Sequence, residues 1–304
     1  MSAAARAGTC AILGAANVGK STFLNAVVGQ KVAIVSPVPQ TTRRRILGVV
    51  QRADCEISLL DTPGLHRRRG RLNQRLMRAA SAALRDVDAV ILMVDASRRA
   101  GWLDPETEHI LRPIAGSKRP CVLVLNKIDK IAKSRLLPML EEASKRHPFS
   151  ALIPISAQRG DGVDLVLDTV AALMPEGAPL HEAGTFTDQT ERDLCSELIR
   201  EQVLRQTRQE IPHCTAVTIE QFDESRRTGD RPLVEIEATI WVERDGQKAI
   251  AIGAGGQMVK AIGSAARKQI EQMLEARVML RLAVEVAAGW TDDPRALDRF
   301  GLIG

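Results

Sequence analysis

The sequence predicts two α/β units in series, a doubly wound and mostly parallel sheet followed by a smaller α+β unit. Three observations carry this. Between residues 9 and 174, five short and nearly continuous apolar runs alternate with polar helical stretches. A segment without periodicity, Pro175 to Thr187, carries Pro175, Gly177, Pro179 and Gly184 and interrupts that pattern. After it the order becomes helix, two strands, glycine cluster, long helix and last strand. A chain of 304 residues is long for one domain and comfortable for two, each able to bury its own core. The expected boundaries are 1–175, a linker at 176–187, and 188–304 with a C-terminal tail.

Cys10 to Leu13, Cys55 to Leu60, Ala89 to Val94, Cys121 to Leu125 and Ala151 to Ile155 are the strand candidates of the first unit. Apolar runs of this length without alternation suit parallel strands covered by helices on both faces. Each ends where a polar motif begins, and ligands of open α/β sheets bind at those carboxyl ends. The second unit opens with a helix from Glu191 to about Thr207, with Leu194, Leu198, Ile199 and Val203 on one face. Strands are expected at Thr215 to Phe222 and Leu233 to Val242, then a helix through Met258 to Glu275 and a strand at Val278 to Val286. Asp245-Gly246 reads as a hairpin turn.

The composition, 45% hydrophobic and 26% charged, is that of a globular protein. No apolar run approaches the roughly 20 residues of a spanning helix. The start, MSAAARAG, lacks the apolar core of a secretory signal and reads as a frayed terminus, so a cytoplasmic protein is expected. Cys10, Cys55, Cys121, Cys195 and Cys214 are odd in number and scattered, which argues against a disulfide framework and a zinc site. The net charge of +5 is unevenly spread: residues 1–190 carry 26 Lys and Arg against 18 Asp and Glu, a net +8, and residues 191–304 carry 16 against 19, a net −3.

Gly14-Ala15-Ala16-Asn17-Val18-Gly19-Lys20-Ser21-Thr22 is a G-x-x-x-x-G-K-S phosphate loop directly after a strand and before a helical run. Glycines let the backbone wrap a phosphate, and the loop amides and helix N-terminus supply positive potential. Lys20 would reach the β- and γ-phosphates and the Ser21 hydroxyl would hold Mg²⁺. Background frequencies give this pattern roughly a 1% chance in such a chain. Asp61-Thr62-Pro63-Gly64 follows the strand ending at Leu60, with a carboxylate for the metal's water shell and the Gly64 amide for the γ-phosphate. Asn126-Lys127-Ile128-Asp129 closes another strand, where the Asp129 carboxylate can accept both N–H groups of guanine's amidino edge. Adenine lacks that paired donor edge, so the motif selects GTP. Ser156-Ala157 closes the next strand and would offer a backbone N–H to the guanine carbonyl.

In this order, each at a strand end, these motifs resemble the P-loop GTPase superfamily. The resemblance makes Gln40-Thr41-Thr42-Arg43 the first switch, assigning Thr42 to Mg²⁺ and the γ-phosphate, with Thr41 as the alternative. It implies GTP hydrolysis to GDP with Mg²⁺, in which water attacks the γ-phosphoryl group in line and Lys20, Thr42 and Gly64 face the reacting phosphate. Leu65 stands where a Ras-like enzyme carries a water-positioning Gln, which implies slow intrinsic hydrolysis. His66 is read as solvated rather than as a base. Asn17 matches a loop Asn that helps place a monovalent cation in related GTPases, which implies stimulation by K⁺.

Ile252-Gly253-Ala254-Gly255-Gly256-Gln257 contains a G-x-x-G loop entering a helix, the element by which KH domains clamp single-stranded RNA. Residues 246–270 carry Lys248, Lys260, Arg267 and Lys268 without an acid. With the element order of a type II KH domain, with Pro39-Gln40-Thr41-Thr42-Arg43, with Val242-Glu243-Arg244-Asp245 and with Gly289-Trp290-Thr291-Asp292-Asp293, the chain resembles the Era family of bacterial ribosome-assembly GTPases nearly end to end. The resemblance implies binding to the 3′ end of 16S ribosomal RNA and the maturing small subunit, rRNA processing, peripheral association with the inner membrane, and a working monomer. It assigns the RNA contacts to Lys248, Ile252, Gly253, Ala254, Gly255, Gly256, Lys260 and Arg267. It also replaces the Asp245-Gly246 turn by a short helix from Gln247. Ala254-Gly255 departs from the family, whose loops usually carry a lysine there, removing a phosphate contact. The runs Arg43-Arg44-Arg45 and Arg67-Arg68-Arg69 are divided between a solvated loop face and contact with RNA, ribosome or membrane. With no Tyr and 3% aromatics there is little material for base stacking. An RNA-binding module with a merely structural nucleotide fold, and a GTPase of tRNA modification or membrane signalling, are the competing readings.

Overall fold

A computed structural model of the chain describes residues 5–38, 41–62, 84, 86–98, 101–207, 211 and 214–301. The first unit is a six-stranded sheet in the order β2-β3-β1-β4-β5-β6, from β1 (Arg6–Leu13), β2 (Ile46–Arg52), β3 (Cys55–Asp61), β4 (Ala89–Asp95), β5 (Cys121–Asn126) and β6 (Ala151–Pro154). All neighbours are parallel except β2 and β3, which pair antiparallel. The strand β4, AVILMVD, is buried at every position, as expected of a central strand covered on both faces.

One face of the sheet packs on α1 (Lys20–Val28) and α4 (Val163–Leu173) through Phe23, Leu24, Val166 and Val170. The other carries α2 (Pro105–Ser117) and α3 (Leu136–Arg146) through Ile110, Ile114, Met139 and Ala143. Asp104 caps α2 by accepting from the Thr107 amide, and Pro105 supplies the fixed φ suited to the first helical position. Strand order reverses between β1 and β4, so the crevice of the fold opens where the loop after β1 leaves the sheet.

The second unit is a three-stranded sheet in the order β7-β8-β9, with β7 (Ala216–Arg226) antiparallel and β9 (Arg277–Val286) parallel to β8 (Leu233–Val242). Two helices cover one face, α5 (Glu191–Gln206) and α7 (Gln257–Leu274), burying Cys195, Ile199, Val203, Ile262, Ala266 and Ile270. A Thr190/Asp193 capping box starts α5. A short α8 (Pro294–Arg299) closes a small aromatic core of Trp290, Leu297 and Phe300 beside Ala216.

Several expectations are corrected. The strand β1 already begins at Arg6, inside the stretch read as frayed, because its first residues pair with Cys55 and Glu56 of β3. The edge strand β2 was not among the candidates. It lacks the rhythm of strand and helix, turning back through Ala53-Asp54 into β3, and Gly48 sits so close to Leu24 and Val28 of α1 that a Cβ would stand 2.6 Å from Leu24 Cδ1. Asp245-Gly246 opens the helix α6 (Asp245–Ile252) rather than a hairpin, two residues earlier than the resemblance implied. Gln247 decides this by turning its side chain back to accept from the Glu243 and Arg244 amides. The segment 175–187 holds no helix, but it is no free tether: the Leu180 amide and His181 Nδ1 meet Glu56 Oε1 at 2.9 and 3.0 Å, and Thr187 Oγ1 donates to Leu47 O.

Candidate functional site

Residues 14–19 leave the carboxyl end of β1 and turn into α1, beside the reversal in strand order. The loop is packed as tightly as its glycines require. A Cβ on Gly14 would lie 2.3 Å from Met93 O, and one on Gly19, at φ 105°, would lie 2.2 Å from Asn126 Nδ2. Ala15, Ala16 and Val18 are buried beneath the loop, while Asn17 turns through a left-handed φ of 63°. Above it opens a cavity of about 580 Å³ lined by Ala16, Asn17, Gly19, Lys20, Ser21 and Thr22 on one side and by Ile34 to Pro37, Thr41 and Thr42 on the other.

Lys20 is buried, and its Nζ donates to the Gly14 and Ala15 carbonyls at 3.1 Å each. Burial lowers its pKa, opposed by the charge of Asp61 and reinforced by Arg98. Ser21 Oγ donates to Asp61 Oδ2 at 2.8 Å and stands 2.8 Å from Thr42 Oγ1, which is itself 3.4 Å from Asp61 Oδ2. Asp61 is fully buried; burial raises its pKa, against Lys20 and the two hydroxyls. Its other oxygen, Oδ1, is buried with no hydrogen-bond partner among the described residues. Two hydroxyls and a carboxylate with a spare lone pair fit Mg²⁺, which takes oxygen ligands, keeps several waters and relies on substrate phosphates for the rest. Thr41 is not part of this cluster, for its hydroxyl bonds Ser36 Oγ and Val38 O. Thr62 Oγ1 donates to Ile12 O, fastening the end of β3 to β1. Pro63, Gly64, Leu65, His66 and Arg67 to Arg69 lie outside the described residues.

The motifs at the ends of β5 and β6 are joined to the loop by one side chain. Asn126 Nδ2 donates to Val18 O at 2.8 Å while its Oδ1 accepts from the Ala157 amide at 3.0 Å. Ser156 Oγ donates to Asp129 Oδ1 at 2.7 Å, steering the half-buried carboxylate. Lys127, in a left-handed turn at φ 66°, reaches Asn17 O at 2.6 Å and Asp95 Oδ2 at 2.7 Å. Burial would raise the Asp95 pKa, but Lys127 and Ser97 hold it below the ordinary value. Asp95 and Arg98, whose Nη2 donates to Ala16 O at 3.1 Å, escaped the motif reading although both brace the site. The only sequence signal for them was their place at the carboxyl end of β4.

In the second unit, Gly253 has a left-handed φ of 74°, and a Cβ there would stand 2.9 Å from Met258 N, so the loop needs glycine. Ala254, Gly255 and Gly256 form one tight turn into α7, and Ile252 packs against the core. Lys260 and Arg267 line a groove of about 240 Å³ between α7 and β9, floored by Leu280 and Leu282. Lys248 is set apart from them, paired with Glu285 at 2.9 Å. The basic run after the first switch is corrected: Arg43 is buried and donates to Thr215 O, and Arg44 pairs with Asp193 at 3.2 Å, leaving Arg45 exposed.

Comparison with known proteins bears on both halves. A family model described as a 50S ribosome-binding GTPase matches residues 9–127, and a KH-domain model matches residues 210–291. The chain is 43% identical to the GTPase Era of Geobacter metallireducens over 296 residues, 97% of each chain. It is 45% identical to the GTPase Era of Stenotrophomonas maltophilia, over 97% of this chain and 96% of that one. Among solved structures, Aquifex aeolicus Era bound to GDP·AlF₄⁻ superposes with a TM-score of 0.92 at 36% identity, covering 98% of this chain and all of the other. An Era in complex with MgGDPNP and nucleotides 1506–1542 of 16S ribosomal RNA gives 0.93 at 36% identity, covering 99% and 100%. With identity above 40% running through both sheets, the chain belongs to the Era family of GTPases.

Proposed function

We propose that this protein is a GTP-hydrolysing switch that binds the 3′ end of 16S ribosomal RNA and assists assembly of the small ribosomal subunit and processing of its RNA. Its domains are residues 1–175 and 188–304. The observation that carries the reading is that Lys20, Ser21 and Thr42 line one cavity with the Asp61 carboxylate bonded behind the two hydroxyls, while Asn126 is joined to the same loop and Ser156 to Asp129. The complexes of relatives with GDP·AlF₄⁻ and with MgGDPNP and 16S RNA support it.

In this reading the residues divide the work by chemistry. Lys20 exchanges its two backbone carbonyls for β- and γ-phosphate oxygens, an exchange favoured because a phosphate neutralises a buried ammonium and a carbonyl does not. Residues 15–22 run into the N-terminus of α1, where first-turn amides have no intrahelical partner and suit an anion. Ser21 and Thr42 would hold Mg²⁺ by their hydroxyls, with the Asp61 carboxylate behind its water shell, and the ion would supply positive charge to the phosphate oxygens. By the resemblance Gly64 is assigned to the γ-phosphate, and Asp129, steered by Ser156, accepts guanine's two N–H donors. The backbone N–H expected from Ser156-Ala157 for the guanine carbonyl is corrected: the Ser156 amide donates to Asp161 O and the Ala157 amide to Asn126 Oδ1, each at 3.0 Å. The RNA backbone approaches the Gly253 turn, with Ile252, Ala254, Gly255 and Gly256 as its floor and Lys248, Lys260 and Arg267 beside it.

Multiple-turnover phosphate release by the purified chain with Mg²⁺ tests the enzymatic half. Release from GTP and not from ATP is expected, and equal release from both overturns the base-reading assignment. RNA recovered after crosslinking to the GTP-loaded protein tests the other half, with enrichment of the 3′ end of 16S RNA expected. Asn17 stands where the phosphate loop meets the switch loop, donating to Pro37 O at 2.8 Å, and we assign it to a stimulation by K⁺ that a comparison of K⁺ and Na⁺ buffers decides. The protein works as a monomer. No described helix is long and apolar enough to cross a membrane. Cytoplasmic residence with peripheral attachment to the inner membrane follows from the resemblance, and vesicle flotation tests it.

A further inference from the structure

One helix of the RNA-binding unit lies along the loop that completes the nucleotide site. The helix α5 buries its apolar side in its own sheet, yet its opposite side is charged and also buried, including Arg200 and Glu201. Asp193, Glu197, Glu201 and Arg205 recur every four residues, and Arg200 stands three after Glu197, forming one stripe along the helix. That stripe holds Lys31, Val35, Thr41 and Arg44. Glu201 pairs with Lys31 at 2.5 Å and accepts from the Val35 amide at 3.0 Å, Arg205 donates to Val35 O at 2.9 Å, and Asp193 meets Arg44 at 3.2 Å.

The contact nearest the chemistry is Arg200. Its Nη2 donates to the Thr41 carbonyl at 2.5 Å, while Nε and Nη2 form a two-point fork on Glu197 at 2.8 and 2.6 Å. Burial would raise the Glu197 pKa, but the Arg200, Arg44 and Arg43 charges hold it below the ordinary carboxylate value. The peptide whose oxygen Arg200 grips is the one joining Thr41 to Thr42, so fixing it fixes the φ of Thr42 and the direction of its hydroxyl toward Ser21 and Asp61. Without the grip that peptide could rotate, and Thr42 would reach the metal position only part of the time.

We propose that Arg200 is a positioning residue for GTP hydrolysis, acting from the RNA-binding unit on Thr42 through the Thr41 carbonyl. The inference rests on the role assigned above to Thr42. It makes hydrolysis depend on how the second unit is seated, because α5 cannot shift without releasing the Thr41 peptide. GDP needs no Thr42 hydroxyl, so GDP binding is spared.

The test uses the full-length chain and the variants Arg200→Met, Arg200→Lys, Thr42→Ala and the Arg200→Met/Thr42→Ala double. Single-turnover hydrolysis by Arg200→Met is expected to fall about tenfold, the size of effect that a misplaced reacting group produces. Half-maximal rate should need more Mg²⁺, and the Kd for GDP should stay within about twofold of the parent, below the coupling that would mark a damaged nucleotide site. Arg200→Lys, which keeps one donor for the carbonyl but loses the fork, should lie between the two. In the Thr42→Ala background, Arg200→Met should change nothing further, since residues acting through one another are not additive. An unchanged rate in Arg200→Met, or the same loss with and without Thr42, overturns the proposal. If Arg200→Met fails to fold by circular dichroism, Arg200→Lys carries the test, and a parental rate with parental Mg²⁺ dependence overturns it. A Thr42→Ala enzyme with a normal rate would instead overturn the reading of Thr42 itself.

Discussion

Asp129 illustrates what a single side chain decides. Its carboxylate is held by Ser156 Oγ at 2.7 Å, so its direction is set before a base arrives. Asp129→Asn presents one acceptor and one donor, which suits the carbonyl of xanthine in place of guanine's amino group. The ratio of XTP to GTP affinity is expected to rise by at least about a hundredfold, the scale on which an unpaired polar edge is rejected, and competition between the two nucleotides measures it. At this scale the sequence was most legible. Lys20, Ser21, Asp61, Asn126 and Asp129 stand in motifs whose spacing is dictated by a phosphate or a purine. Of the two switch threonines, Thr42 stands beside Ser21 and Asp61 while Thr41 bonds Ser36 and Val38, the placement that the proposed role of Thr42 requires. Arg200 and Arg98 were not legible, because they act on backbone carbonyls, and a carbonyl leaves no mark on which residues surround it.

Elements were legible where one rhythm dominated. The buried run of β4 and the amphipathic α7 fall within a residue or two of their expected bounds. The edge strand β2 and the helix α6 were not: packing overrides the Gly-bearing edge, and in α6 the Gln247 side chain caps the turn that Asp245-Gly246 suggests as a hairpin. The segment 175–187 shows why composition misleads about function: its glycines and prolines forbid helix, yet Glu56 gathers Leu180, His181 and Gln51 and clasps it to the sheet edge. Burial alone would raise the Glu56 pKa, but these hydrogen bonds, His181 first, bring it below the ordinary value. A folded-state pKa below the unfolded one means that the unfolded chain binds more protons at mildly acid pH. The stability Glu56 contributes is therefore present above the unfolded value of about 4.3 and is lost as the pH falls through the folded one. Glu56→Gln should cost about 1–3 kcal/mol at pH 7, as expected for hydrogen bonds to a charged group, and should flatten the acid limb of a denaturant-midpoint against pH curve. A parallel acid limb in the variant would remove Glu56 from the account.

Across the whole molecule, charge is distributed against simple expectation. The basic half holds the nucleotide site and the half with the RNA-facing loop is net −3. In that half Lys248 is paired with Glu285 and Arg267 lies 3.9 Å from Glu271, while Lys260 and Arg267 line the groove and Lys268 follows Arg267 in sequence. Single-stranded RNA held by three such cations should show a slope of about −2 in log affinity against log salt, at roughly 0.7 per phosphate. A slope twice as steep, read by titrating labelled RNA at several KCl concentrations, would mean that the basic half shares the strand.

Asn126 has one hand on the floor of the phosphate loop and the other on the loop that faces the purine. The two ends of the ligand are consequently felt by a common lever. A nucleotide with the wrong heterocycle would disturb Ala157, then the amide of Asn126, then Val18, and so be gripped less firmly at its far, charged end as well. Discrimination would appear as slower triphosphate cleavage in whatever wrong ligand does bind, a form of proofreading achieved within a single binding event.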